Sequence, residues 1–189
     1  MKESVLVFLV LLISLPVATS QDIALSVEAH PRVLRVGDRV AFTITYINSS
    51  TKKLGIISEG HVYEAADIDL TKASTRERGI LLPYLTLEYD FAGVARALRI
   101  LKPGQMYQRR ISAKVSLTFP RGGKSNDTQE GLYLLFSSSA IKLPGFGTYR
   151  VSAEYAVTDY LRYFLNAEDK RRLWIGKANA PPIEIEFRR

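Results

Sequence analysis

His30 and His61 are the only imidazoles in the chain, and there is no cysteine. A general base of the usual kind therefore has two places to sit. A thiolate nucleophile, a thiolate zinc site and a disulfide framework have none. No G-x-S-x-G occurs, so a serine triad lacks its strained nucleophile turn. His61 stands near Glu59, Glu64, Asp67 and Asp69, the nearest approach to a ligand cluster. Asp67-Ile68-Asp69 puts two carboxylates on one strand face or into one loop, where oxygen ligands hold calcium. A calcium loop needs more oxygens and a glycine turn, both missing here, so a solvated acidic edge is expected. His30, beside Pro31, reads as part of a strand-ending turn. Glu88, Asp90, Glu154 and Glu184 are the carboxylates from which a glycosidase pair would be drawn. Each alternates with apolar residues along its run, which points it to the wet face of a strand. No catalytic residue, metal ligand or cofactor site is assigned.

The remaining candidate is aromatic and basic. Tyr160, Tyr163, Phe164 and Trp174 are interleaved with Arg162, Lys170, Arg171 and Arg172. Aromatic rings beside cations stack sugars or bases, or anchor a protein partner. The same residues also suit packing of this segment onto the rest of the domain, with the tryptophan in the core. Packing is the preferred reading, and Tyr160, Arg162, Tyr163, Arg171, Arg172 and Trp174 are the residues to inspect for binding.

The elements that must position these groups follow a period of two. Ile23, Leu25, Val27 and Ala29 alternate with polar residues, the mark of a strand with one buried face. Val40, Phe42, Ile44 and Tyr46 repeat the pattern after a turn at Gly37-Asp38. Leu85, Leu87, Tyr89 and Phe91 give another strand, with Val94 to Leu101 as its return around Ala92-Gly93. Ile111, Ala113, Val115, Leu117 and Phe119 share one face of a strand that follows the Pro103-Gly104 turn. Tyr149, Val151, Ala153 and Tyr155 form the next, and Ile183, Ile185 and Phe187 the last. Phe42, Leu87, Val115 and Val151, centred in their runs, are expected in the core. Residues 120–131 lack periodicity and read as a loop, as does the charged stretch 71–79. Asp159 to Leu173 breaks the strand rule: Tyr160 and Phe164, then Leu161 and Leu165, recur at a spacing of four. Asn166 stands where it can cap a second short helical turn, with Asp169 in that first turn. Seven to nine short strands with one helical excursion predict an all-β antiparallel sandwich.

The ends add a compartment. Val5 to Leu15 is apolar but for Ser14, the length of a signal-peptide core, and Ala18-Thr19-Ser20 supplies small residues before Gln21. Residues 1–20 are therefore expected to be a cleaved signal peptide and 21–189 one exported domain, touching membrane only before cleavage. Export without cysteine fits a bacterial periplasm or cell surface. Asn48-Ser49-Ser50 and Asn126-Asp127-Thr128 are glycosylation sequons on paper. The net charge of +7 is scattered, with only short pairs such as Arg109-Arg110, Arg171-Arg172 and Arg188-Arg189. It reads as a basic soluble surface suited to anionic surroundings.

The run Leu143-Pro-Gly-Phe-Gly-Thr-Tyr-Arg-Val-Ser-Ala-Glu-Tyr155, the later Leu173-Trp-Ile-Gly-Lys177, Pro182 and the closing alternation form a set. Together they resemble the C-terminal half of exported bacterial immunoglobulin-like domains. Leu101-Lys102-Pro103-Gly104-Gln105 is similar to a turn of the same group. The resemblance implies an immunoglobulin-like β-sandwich and no activity; the helical insertion expected from Asp159 to Arg172, before the last strand, departs from that group's shorter pattern. The expected function is non-catalytic: a binding or scaffold domain that engages another envelope or extracellular protein, or an anionic polymer, and not nucleic acid. A protease-inhibitor-like sandwich that presents loops, or a carbohydrate-binding module, is the alternative.

Overall fold

The computed structural model of the chain describes residues 22–58, 68–83, 91–119 and 129–189. Expectations for the signal peptide, the His61 cluster apart from Asp69, the strand through Leu87, Glu88 and Asp90, and the second sequon lie outside these residues. So does most of the loop at 120–131.

The described chain is mostly strand. Its first sheet has six strands in the order β1 (Ile23–His30), β3 (Arg39–Asn48), β8 (Met106–Phe119), β9 (Gln129–Leu135), β10 (Ser139–Leu143) and β6 (Ile80–Pro83). All of its pairings are antiparallel. The second is built around the long β11 (Gly147–Val157). Along one edge β11 pairs with β13 (Ile183–Phe187) and β12 (Gly176–Asn179), and it also pairs with β5 (Ile68–Lys72). The short β2 (Val33–Leu34) runs parallel to β13. A two-stranded ribbon, β4 (Leu54–Ile57) with β7 (Leu98–Leu101), completes the set. Among the described residues no helix is long and apolar enough to cross a membrane.

Alternation explains the core. Ile23, Leu25, Val27 and Ala29 of β1, Val40, Phe42, Ile44 and Tyr46 of β3, and Tyr149, Val151, Ala153 and Tyr155 of β11 are all buried. They join side chains of both main sheets in one hydrophobic cluster. Phe42, Val115 and Val151 are thus core residues. The polar partners on these strands face outward, as a two-residue repeat requires. The expected turn at Gly37-Asp38 is present: Gly37 takes a positive φ of 95°, and the Arg35 amide donates to Asp38 Oδ2 at 2.7 Å.

Four expectations are corrected. Residues 129–131, expected to end the loop at 120–131, instead open β9 against β8. Leu117 does not share the buried face of β8, being 45% exposed. The register between β8 and β9 shifts between Ser116 and Thr118. The extra residue is on β9, where Gly131 and Leu132 stand against Leu117 alone, so the regular pairing that keeps the faces alternating is interrupted there. Ser116 Oγ holds the bulge, accepting from the Thr118 amide at 3.1 Å and donating to the Thr118 carbonyl at 2.8 Å. The return strand from Val94 is also shorter than its apolar run suggests. Phe91–Ala97 is a helix, α1, and only Leu98–Leu101 is strand. Three alanines in those seven residues, Ala92, Ala95 and Ala97, favour helix locally. Thr71 and Lys72, expected in a loop, instead continue β5 against β11.

Candidate functional site

Between β11 and β12 the chain leaves the sheet. Asp159–Phe164 forms a 3-10 helix and Ala167–Arg172 a short α-helix, α2. Asn166 caps α2, its Oδ1 accepting from the amides of Glu168 at 3.0 Å and Asp169 at 2.9 Å. Those carboxylates in the first turn and Lys170, Arg171 and Arg172 in the last all match the helix dipole. The segment is tied down by Leu165, Leu173 and Trp174, all buried.

The six residues singled out from the sequence divide here. Trp174 is a core residue, 7% exposed. Its ring lies on Tyr155, with centroids 5.5 Å apart and planes 14° apart, and its amide donates to the Gly55 carbonyl at 2.9 Å. Tyr155 meets Tyr46 edge-on at 5.1 Å, and Tyr46 meets Tyr107 at 6.0 Å, so a file of rings joins the two main sheets. The Tyr155 hydroxyl accepts from the Ile57 amide at 2.8 Å, which fastens the ribbon to the same file. Gly176 explains the Trp-x-Gly spacing: it sits at φ 155°, and a Cβ there would stand 2.8 Å from Trp174 Cζ2.

The other five are at the surface, and two of the arginines are engaged. Arg162 pairs with Asp159 at 2.7 Å and Arg172 pairs with Glu168. Arg171 Nε donates to the Ala167 carbonyl at 3.3 Å, and its side chain is exposed. Tyr160 and Tyr163 are 58% and 75% exposed. Their rings lie 6.0 Å apart at 57°, and Tyr160 meets Phe164 at 5.3 Å and 75°. The structure therefore leaves two tyrosines and three arginines at the surface of one excursion and sends the tryptophan inward. Tilted rings of this kind do not make a flat stacking platform.

The remaining sequence candidates are dispersed. His30 is exposed at the end of β1. Asp69, the described member of the acidic cluster, pairs with Arg78 at 3.5 Å. Glu154 pairs with Lys177 at 2.8 Å and Glu184 faces Arg150 at 4.0 Å, both on the outer face. Among the described residues no three His, Asp or Glu side chains converge on a point that could hold a metal ion. The first sequon is closed. Asn48 is fully buried, its Nδ2 donating to the carbonyls of Lys52 at 2.7 Å and Leu101 at 2.9 Å. Its Oδ1 accepts from the amide and hydroxyl of Ser50 at 3.0 and 2.7 Å. That saturated amide is a structural staple for which Asn-Ser-Ser gives no local signal.

Tyr149 is a second polar feature that pattern reading registered only as core. Its hydroxyl donates back to the Gly145 carbonyl at 2.5 Å. Burial, with the Glu77 carboxylate adding to it, pushes this phenol up from 10.0 to about 12. Against known proteins, the chain matches no protein family, and a search of curated proteins finds no match either.

Proposed function

We propose that the chain is an exported, non-catalytic binding domain of immunoglobulin-like type, starting at Gln21, that engages another protein through Tyr160 and Tyr163. The observation that carries this reading is their exposure on a segment whose ends are buried. Tyrosine gives large contact area at low entropic cost and is enriched where interfaces concentrate their energy. Arg162, Arg171 and Arg172 supply a basic rim, which suits a partner with an acidic contact face.

The immunoglobulin-like assignment is supported by three features. The chain passes from β1 in one sheet to β2 in the other, β2 runs parallel to the closing β13, and the Tyr149 hydroxyl bonds back to the chain just upstream. That last contact is the form of a tyrosine corner. On this reading the helices between β11 and β12 are an insertion, and β9 with β10 extends the sheet beyond the usual set. The tilt of the tyrosine rings weighs against the carbohydrate-binding alternative.

Capture from an envelope extract, followed by titration of the captured protein, tests the reading. Tyr160→Ala with Tyr163→Ala is expected to weaken binding about tenfold or more while leaving the fold intact. Equal affinity for the variant and the parent chain removes the tyrosines from the interface.

A further inference from the structure

Arg39 and Lys114 stand directly opposite one another on β3 and β8. Arg110 projects from the same face of β8, four residues away, or about 13 Å along an extended strand. All three are exposed, and among the described residues none makes an ion pair or side-chain hydrogen bond. With Ser112 and Ser137 they line one concavity of about 460 Å³ on the outer face of the six-stranded sheet, with Leu135 and Phe136 at its side.

Like charges set directly opposite on neighbouring strands destabilise a sheet. Elsewhere the same fold opposes unlike charges: Arg150 is registered against Glu184, and Lys177 reaches Glu154. Among the described residues no carboxylate lines the concavity. In the β1–β3–β8 register, Glu28 lies beyond Thr43 from Arg110, two strand spacings off, and Asp38 turns back to the Arg35 amide. A local rule broken without compensation among the described residues points to a site whose partner comes from outside.

We infer that this concavity binds oxyanions carried in series on a polymer, phosphate or carboxylate. Arg39 and Lys114 clamp one group and Arg110 takes the next, with the Ser112 hydroxyl between them. A guanidinium presents a planar fork to either oxyanion. The spacing along β8 exceeds the reach of a single small anion, which is why a polymer is specified. The site is on β3, β8 and β9, apart from the tyrosine segment that leaves β11, so it stands or falls separately from the protein-binding reading.

Fluorescence anisotropy on the full chain, with labelled short-chain inorganic polyphosphate and labelled polygalacturonate, tests it. The site variant combines Arg39→Gln, Arg110→Gln and Lys114→Gln. The control combines Lys52→Gln, Lys53→Gln and Lys102→Gln, exposed residues outside the concavity whose loss changes the net charge equally. At low salt the site variant is expected to bind about tenfold or more weakly, and the control at most about twofold. Binding of polyphosphate alone identifies phosphate as the ligand group, and of polygalacturonate alone carboxylate. Equal losses in the two variants, or no binding of either probe by the unaltered chain, overturns the site. Should the triple variant lose its circular dichroism signature, Arg110→Gln against Lys102→Gln repeats the comparison, and equal affinities there overturn it too.

Discussion

Trp174 and Tyr163 lie within one short stretch of chain and come from the same interleaving of rings and arginines, yet the fold treats them oppositely. Trp174 follows α2 directly into the core, where Tyr155 lies parallel to it and Gly176 leaves room at its edge. Tyr163 sits on a 3-10 helix with no buried residue of its own and is three-quarters exposed. What separates them is the surface each one meets. The tryptophan is backed by a file of rings joining both sheets, while among the described residues the tyrosine has only Tyr160 as a ring neighbour. Residue type set neither outcome.

Four variants can break or sharpen this contrast. The largest effect is expected from Trp174→Ala, which deletes the end of the ring file and should cost about 3–5 kcal/mol in denaturant melts. A loss below about 1 kcal/mol would put Trp174 outside the core. Asn48→Ala comes next, because it strands the buried Leu101 carbonyl and, in a part-buried turn, the Lys52 carbonyl and the Ser50 amide. About 1–3 kcal/mol is expected, and unchanged stability would mean that water replaces the side chain.

Tyr149→Phe is smaller at neutral pH, about 1 kcal/mol for the hydrogen bond to Gly145. Its diagnostic lies in alkali. A phenol raised from 10.0 in the unfolded chain to about 12 in the fold contributes stability that is fully present below pH 10. That stability, roughly 2–3 kcal/mol, is lost as pH rises from 10 towards 12. The phenylalanine variant should lack this alkaline decline, and parallel pH profiles for the two proteins would show that Tyr149 is not its source. The smallest effect belongs to Tyr160→Ala with Tyr163→Ala, expected within about 0.5 kcal/mol of the parent because both rings face solvent. A larger loss would reclassify the pair as packing.

Legibility varied with the range of the interaction that decides each feature. The alternation in β1, β3 and β11 was readable because a strand's period is local, and one buried face suffices to write it into the sequence. The cap by Asn166 was readable for the same reason, since it acts within three residues. The bulge at Ser116 was not, because the shift appears only when β9 is laid beside β8. The helix at Phe91–Ala97 competed with an apolar run that reads equally well as strand.

The sequence by itself determined a mostly β chain without thiol chemistry, which residues of β1, β3 and β11 turn inward, and that the stretch after β11 departs from strand. These follow from composition and from patterns a few residues long. Only the tertiary structure decided that Trp174 belongs to the core, that Asn48 is a buried staple, and that Arg39 confronts Lys114. Each depends on register between segments distant in the chain, and register is set by how whole faces pack together.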